Sequence, residues 1–195
     1  PHWQRALRHG SLVLGGALTL LVLAAALLSL WWTPSSPFAM DMGQRLAPPG
    51  AAHWLGTDAF GRDVASLLLV GARSSLLAGV VAVGIGLAIG TALGLLAAAR
   101  RGWVEELVMR LADFSFAFPA VLSAILFTAA WGPGLVNAIV AIGIFNIPVF
   151  ARVARAGALA VWSREYVLAA RACGKGMLRT TLEHVLPNIA PMLIV

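Results

Sequence analysis

Residues Ser74–Ala99 read SSLLAGVVAVGIGLAIGTALGLLAAA and carry no charged side chain. A helix crosses a bilayer with about 20 mostly apolar residues, so this stretch predicts a transmembrane helix. Small residues recur in it at every fourth position, which places them on one helix face: Ala78, Ala82, Gly86, Gly90, Gly94 and Ala98. Such a face lets membrane helices approach closely. We expect it to be buried, either in a specific close contact or in generic helix packing.

Further uncharged stretches have the composition of membrane spans. Ser11–Trp32 ends in two tryptophans, which suit the membrane–water interface. Phe114–Ala151 is also uncharged, but Gly132-Pro133-Gly134 interrupts it and predicts a break between two helices. The expected spans, besides the one quoted above, are therefore 11–33, about 114–131, about 135–151, and another that begins near Pro187.

The composition is typical of a protein embedded in lipid. Hydrophobic residues make up 60% of the chain and charged residues 11%, and the mean hydropathy is +0.88. A soluble domain has roughly 45–50% apolar and about 25% charged residues. The net charge of +6 does not indicate a nucleic-acid partner, because a nucleic-acid-binding protein carries its basic residues on a wet face, without long uncharged runs. The predicted fold class is an all-α polytopic membrane protein.

The positions of Lys and Arg predict the orientation, since these residues concentrate in cytoplasmic loops. With a cytoplasmic N-terminal segment 1–10, a first transmembrane helix 11–33, a periplasmic loop 34–73 and a core transmembrane domain 74–195, only Arg45, Arg62 and Arg73 face outside. The other basic residues then face the cytoplasm: Arg5, Arg8, Arg100, Arg101, Arg110, Arg152, Arg155, Arg164, Arg171, Lys175 and Arg179. Because the chain starts with Pro1 and ends inside an apolar run at Val195, we expect both ends to be cut.

Catalytic and metal-binding patterns are missing from the sequence. The histidines have no metal-ligand spacing, and Gly174-Lys175-Gly176 lacks the rest of a phosphate-binding loop. No ionisable residue lies in the middle of a span, where it would mark a proton relay. Asp113 is the nearest case, and we expect it to form an interfacial ion pair with Arg110 on the same helix face. An enzyme, a cofactor and a metal site are therefore not expected.

A polar segment follows the 135–151 span and has a helical pattern of its own. Ser163 is placed to cap a helix whose first turn holds Glu165. Its apolar face has the spacing i, i+3, i+4, i+7: Tyr166, Ala169, Ala170 and Cys173. Gly174 predicts a left-handed stop, and a second short helix is expected over Met177–Val185, ended by Pro187. So short a helix needs a surface to dock on, either the lipid interface or a groove in a partner.

This segment resembles the EAA loop of permeases from bacterial binding-protein-dependent ABC importers. The resemblance lies in Leu168-Ala169-Ala170, Gly174 and Leu186-Pro187 with their spacing. Two positions differ from the family pattern: Leu168 stands where the family has Glu, and His184 where it has Ile.

The outer loop resembles a narrower group, the dipeptide, oligopeptide and nickel permeases. The similar stretches are HWLGTDAFGRD at His53–Asp63 and GARSSL at Gly71–Leu76. The signature residues are Gly56, Thr57, Asp58, Gly61, Arg62 and Asp63. They could contact a delivering protein or a gate. Alternatively they fold the loop, with Thr57 or Asp58 capping a helix and Arg62 paired with an acid, which is the interpretation we favour.

The resemblance implies the second permease subunit type of such an importer. Its implied fold is the type I ABC importer transmembrane domain, truncated here after about four full spans and the start of a fifth. The implied partners are a second permease subunit in a heterodimer, two cytoplasmic ATP-binding subunits, a periplasmic substrate-binding protein and the bacterial inner membrane. A coupling loop at 155–187 would contact an ATP-binding subunit through Glu165, Tyr166, Ala169, Ala170, Gly174, Leu186 and Pro187. The implied cargo is a di- or oligopeptide, with nickel as the alternative, and a non-transport membrane scaffold is a third possibility.

Overall fold

A computed structural model of the chain describes residues 10–194, so nearly all of the segment 1–10 lies outside the described residues. Within them the regular elements are helices, and strand pairing is limited to an isolated bridge between Thr57 and Asp63. The helices are α1 (Gly10–Leu28), α2 (Val64–Arg100), α3 (Gly102–Ala117), α4 (Ala120–Trp131), α5 (Leu135–Trp162), α6 (Glu165–Ala172) and α7 (177–194). A short 3-10 helix, Met42–Gln44, lies in the loop between α1 and α2.

Three of these helices, α1, α2 and α5, are long and apolar enough to cross a membrane. The span expected near 114–131 is not one helix. Phe118 adopts an extended conformation because it precedes Pro119, and this divides the stretch into the end of α3 and the 12-residue α4. Gly132–Gly134 separates α4 from α5, as predicted.

The chain forms two compact units, the first ending at Ala78 and the second beginning at Gly79, both inside α2. In the first unit, α1 is exposed on nearly all sides, and Ala26 is its one buried residue. A helix that is apolar all round and exposed is typical of a span that faces lipid. The first unit also contains the loop that leads into α2.

In the second unit, α5 packs against α2, α3, α4 and α7. The glycines of α2 make its closest approach to α5. A Cβ added at Gly86 would overlap Asn146, and one added at Gly90 or Gly94 would overlap the backbone of α5 near Ile147 or Ala151. The face of α2 that carries Gly86, Gly90 and Gly94 therefore lies against a helix of the same chain. Gly86–Gly90 is a π-helical segment, a widened turn inside α2.

A buried apolar cluster joins four helices at one end of this unit. It contains Leu95 and Ala98 of α2, Ala154, Ala158 and Trp162 of α5, Val167 of α6, and Val185 and Ile189 of α7. Alanines on α5 let the other helices pack closely, and Gly157 faces Ile189 and Met192 in the same way. Short helices at the end of the chain are thus fixed to two long ones.

Helix α7 continues through Pro187, although the sequence predicted that this proline ends a short helix. A π-helical segment, Thr181–Val185, precedes the proline, and the Leu186 N–H donates to the Thr181 carbonyl five residues back. The wider turn makes room for a ring that would crowd a regular helix. The Asn188 side-chain amide also donates to the His184 carbonyl, at 2.7 Å.

Candidate functional site

The segment Glu165–Pro187, called the elbow below, contains α6, a turn and the first half of α7. Helix α6 begins at Glu165 after Arg164, which is extended. Ser163 does not cap α6, contrary to the prediction. Its hydroxyl donates to the Ala160 carbonyl at 2.9 Å, at the end of α5, where it belongs to the preceding helix.

Helix α6 has one buried residue, Val167, which is fully inaccessible and packs into the four-helix cluster. The sequence analysis missed Val167, because a face made of one large residue has no periodic pattern. Tyr166, Leu168 and Ala169 are exposed, and Ala170 is half-buried. A single buried side chain therefore anchors α6 to its own chain, while its predicted contact residues lie mostly on the open side.

A Schellman turn ends α6 at Gly174, as the sequence predicts. Gly174 has φ +83°, in the left-handed region that glycine adopts without strain. Its N–H donates to the Arg171 carbonyl at 2.9 Å, and the Lys175 N–H donates to the Ala170 carbonyl at 3.1 Å. These two hydrogen bonds satisfy carbonyls that the helix end would otherwise leave open.

Charged side chains connect this turn to α7. The Lys175 Nζ donates to Glu183 Oε2 at 2.6 Å and to His184 Nε2 at 3.0 Å. The Arg179 Nε donates to Glu183 Oε1 at 2.6 Å. Hydrogen bonds from Arg179 and then Lys175 lower the pKa of the Glu183 carboxyl to about 2, so it is ionised at any physiological pH. The Tyr166 ring meets the His184 ring edge to face, with centroids 6.2 Å apart.

Ion pairs join α3 to α5 near the elbow. Arg152 pairs with Asp113, and the Arg155 Nε donates to Glu105 Oε1 at 2.6 Å. The expected pair between Arg110 and Asp113 is wrong: Arg110 pairs with Glu106, four residues earlier on the same helix, at 2.8 Å. Spacing along α3 could not reveal that Asp113 faces a residue of α5.

The signature residues of the outer loop hold that loop together. Asp63 caps α2, accepting from the Ser66 N–H at 2.8 Å and the Ser66 hydroxyl at 2.7 Å. Asp58 accepts from the backbone of Phe60 and Arg62 and pairs with the Arg62 guanidinium at 2.6 Å. The expected pairing of Arg62 with an acid is therefore present. The helix cap is Asp63, however, and not Thr57 or Asp58.

The loop interior is polar and tightly fitted. The Thr57 hydroxyl accepts from the Ala47 N–H at 2.8 Å and donates to the Gln44 carbonyl. Gly56 and Gly61 both have φ +74°, and a Cβ at Gly61 would overlap the Asp41 backbone. His53, which the sequence analysis did not single out, lies 3.0 Å from Asp63 Oδ1 and 2.6 Å from Gln44 Oε1.

Asp63 is nearly inaccessible, yet it remains acidic. Burial raises the pKa of its carboxyl, but hydrogen bonds from Ser66 and from His53 together lower it further than burial raises it. The pKa of Asp58 is lowered mainly by its hydrogen bond with Arg62. These contacts support a structural role for the signature. Within residues 10–194, no three His, Cys, Asp or Glu side chains are grouped as they would be around a metal ion.

Comparison with known families gives a match that includes the elbow. Residues 90–195, more than half of the chain, match the family described as binding-protein-dependent transport system inner membrane component. This region contains the C-terminal end of α2 and every described helix after it.

Two curated relatives are similar over nearly the whole chain. One is the glutathione transport system permease protein GsiD of Pectobacterium atrosepticum, 39% identical over 194 residues, which are 99% of this chain and 64% of the relative. Another is the probable D,D-dipeptide transport system permease protein DdpC of Escherichia coli, 40% identical over 183 residues, 94% of this chain and 61% of the relative. The chain therefore spans less than two thirds of the length of these relatives.

Proposed function

The chain belongs to the family of binding-protein-dependent transport system inner membrane components, and from this membership we propose that it is the transmembrane permease subunit of an ATP-binding-cassette importer. The protein is a multi-pass membrane protein, with helices long and apolar enough to span the bilayer. The family has the type I ABC importer transmembrane fold. The proposed subunit conducts the cargo and leaves ATP hydrolysis to other chains.

One observation carries this proposal: α6 has a single buried side chain, Val167, and most of its other side chains are exposed. A helix of eight residues is marginal in isolation and needs a docking surface. Leu168 is 52% exposed and Tyr166 48% exposed, although both have apolar surface to bury. An open helix face with these side chains fits the groove of a soluble partner.

We propose that this partner is one of two cytoplasmic ATP-binding subunits. Glu165, Tyr166, Ala169, Ala170 and Gly174 would form the contact and the turn, and Leu186-Pro187 would continue it into α7. We also propose a cytoplasmic N-terminus, an orientation that would put the elbow and most of the Lys and Arg residues inside the cell. The coupling loop, 155–187, then lies within a core domain of 74–195, and the loop 34–73 is periplasmic.

The other proposed partners follow from the architecture of such importers. A second permease subunit would complete the pathway as a heterodimer, and a periplasmic binding protein would deliver cargo on the side of the 34–73 loop. The folded scaffold built by Asp58, Arg62 and Asp63 would hold that loop in shape for either contact. None of these assemblies needs a cofactor in this subunit.

We propose that the cargo is a peptide. The relatives described above are named for glutathione and for D,D-dipeptide, both of which are short peptides. Nickel was the alternative from the sequence, and no specific observation favours it. The signature of the outer loop resembles that of both peptide and nickel permeases, so it does not distinguish between these two cargoes.

The four-helix cluster supports a route for coupling. When the ATP-binding subunits close, they would move α6, and Val167 would carry that movement to α2, α5 and α7. Coupling requires that the partner binds the two conformations of the permease with different affinity. The difference in binding free energy between the two conformations would move the permease between its inward-open and outward-open states. No chemical reaction in this chain is needed for that movement.

The docking proposal can be tested with a matched pair of exposed leucines. Leu168 in the elbow and Leu55 in the outer loop are 52% and 53% exposed. We expect Leu168→Asp to abolish co-purification of the ATP-binding subunits and ATP-dependent peptide uptake, whereas Leu55→Asp keeps the ATP-binding subunits bound. Equal recovery of these subunits with both variants would contradict the proposal.

A further inference from the structure

We infer that Lys175 is a positioning residue that locks the turn of the elbow to α7, so that α6 and α7 move as one body. The inference deepens the coupling role proposed above and rests on it. Lys175 touches neither cargo nor nucleotide in this account. Its proposed role is to transmit the movement of α6 to α7, the helix that continues into the membrane domain.

The turn would be loose without an additional restraint. Lys175 lies between Gly174 and Gly176, and a Cβ added at either glycine would meet nothing within 4 Å. No neighbouring atom therefore fills the space beside either glycine, and glycine has more conformational freedom than any other residue. An unrestrained turn of this kind would act as a hinge and would absorb movement of α6.

Lys175 is held by both helices at once. Its backbone N–H donates to Ala170 at 3.1 Å and completes the cap of α6. Its side chain reaches across the turn and donates to Glu183 and His184 of α7, at 2.6 Å and 3.0 Å. One residue therefore connects the end of α6 to the second turn of α7, bridging the two flexible glycines.

The acceptors on α7 are themselves held in place. Arg179 donates to the other oxygen of Glu183 from four residues earlier on the helix, which orients the carboxylate before Lys175 binds it. His184 accepts with Nε2 and packs its ring against Tyr166 of α6. An isolated exposed ion pair is weak, because ordering two long side chains costs entropy. Here the carboxylate is already ordered by Arg179, so less entropy is lost on forming the link.

The link is half shielded from water. The Lys175 side chain is 25% exposed and that of Glu183 is 41% exposed. Partial burial reduces screening by salt relative to a fully exposed pair. We therefore expect the link to be retained at physiological ionic strength, where the importer would work.

The first test measures the link itself, independently of any partner. A spin label on Cys173, the only cysteine in the sequence, reports the mobility of the turn in the purified protein. We expect Lys175→Gln to increase the label's mobility, and we expect Lys175→Arg, which keeps a cationic donor for Glu183, to leave it nearly unchanged. Arg164→Gln is the control, since Arg164, the residue immediately before the elbow, is an exposed cation outside this network, and it should leave the mobility unchanged.

The second test measures coupling in the assembled transporter in liposomes. We expect Lys175→Gln to leave ATP hydrolysis active but to lower the peptide transported per ATP by about fivefold or more. Lys175→Arg should retain most of this ratio, because it keeps the cationic donor that binds Glu183. Unchanged label mobility, or an unchanged transport ratio in Lys175→Gln, would each overturn the inference.

The two proposals fail in different ways. If the elbow does not dock on an ATP-binding subunit, Leu168→Asp has no effect on co-purification, yet the label on Cys173 still reports whether Lys175 holds the turn. If docking is correct and Lys175 has no positioning role, Leu168→Asp abolishes co-purification, while Lys175→Gln leaves the amount of peptide transported per ATP unchanged.

Discussion

Gly90 illustrates how a single residue sets the distance between two membrane helices. We predict that Gly90→Leu destabilises the protein by about 1–3 kcal/mol, because added side-chain atoms would overlap α5 at Ile147 and Phe150. The measurement is the thermal midpoint and the monodisperse fraction in detergent. Leu87→Ala on the same helix should be milder.

Gly84→Leu is the matched control for the Gly90 substitution. A Cβ at Gly84 meets nothing within 4 Å, although it lies in the same helix less than two turns away. Equal losses from Gly84→Leu and Gly90→Leu would show that leucine itself, and not the helix contact, causes the damage.

Asp63 gives a prediction about pH. Its pKa is lower in the folded chain than the ordinary carboxyl value of 3.8, so its contribution to stability is complete above that pH and is lost as the pH falls through the folded pKa. We expect the thermal midpoint in detergent to fall more steeply in the wild type than in Asp63→Asn as the pH drops below 3.8. Parallel curves for the two proteins would contradict this.

The Asp63→Asn variant should also be less stable at neutral pH. Asp63 accepts two hydrogen bonds from Ser66 at the start of α2 and faces His53, so the variant loses charge at a helix N-terminus and a partner of His53. Asparagine can still cap the helix, so the expected cost is that of the lost charge at the helix N-terminus, about 0.3–1 kcal/mol.

At the residue scale, the sequence predicted which residues form ion pairs better than it predicted the partner of each residue. It identified Asp113 and Arg62 as members of ion pairs, but it named the wrong partner for Asp113 and no particular acid for Arg62. Asp113 pairs with Arg152, which is 39 positions away, and this contact depends on how α3 and α5 cross. The helix cap was assigned to Thr57 or Asp58 because both precede an apolar run, whereas the chain turns again before α2 begins at Val64.

The short helix α6 shows what one anchoring side chain can do for an element. We predict that Val167→Ala destabilises the elbow by about 1.5 kcal/mol, since each buried methylene-sized group contributes about 0.8 kcal/mol. The expected result is faster amide exchange in α6 with little change in α2. Leu168→Ala, at a position 52% exposed on the same helix, should leave the exchange of α6 nearly unchanged, and the opposite order would contradict the anchoring role.

The turn after α6 gives a second prediction at the scale of elements. Gly174→Pro cannot keep φ near +83° and removes the N–H that donates to Arg171, so the turn must rearrange. We expect the spans to insert normally while ATP hydrolysis becomes uncoupled from uptake. Gly176→Ala is the control, because Gly176 has φ −63° and open space around it. Normal uptake by the Gly174→Pro variant would contradict this role of the turn.

Uninterrupted helices and breaks marked by glycine were predictable, whereas the effect of each proline was not. The charge-free stretch in α2 and the Gly132–Gly134 break were visible because length and glycine content decide them. Pro119 and Pro187 look alike in the sequence, yet one divides a helix and the other lies inside one. The difference arises because the π-turn at Thr181–Val185 accommodates Pro187, whereas Phe118 takes the extended conformation that usually precedes proline.

At the scale of the whole molecule, the predicted all-α membrane fold and the family resemblance are both confirmed. They were predictable because lipid imposes long uncharged helices, and because the spacing of Gly174 and Leu186-Pro187 is fixed by a turn and a helix. The arrangement of the helices was not predictable, since the cluster around Val167 and Val185 is made by residues far apart in the chain. The docking of the elbow on an ATP-binding subunit and its location inside the cell remain proposals.

Cys173 offers the most direct test of the central proposal, because it is exposed on the elbow and is the only cysteine in the sequence. A photo-activated cross-linker attached to this thiol in inside-out membrane vesicles, with the complete importer present, identifies what the elbow touches and from which side it is reached. The expected result is labelling from the cytoplasmic side only and a cross-link to an ATP-binding subunit. Labelling from the periplasmic side, or cross-links confined to the permease chain itself, would contradict the account.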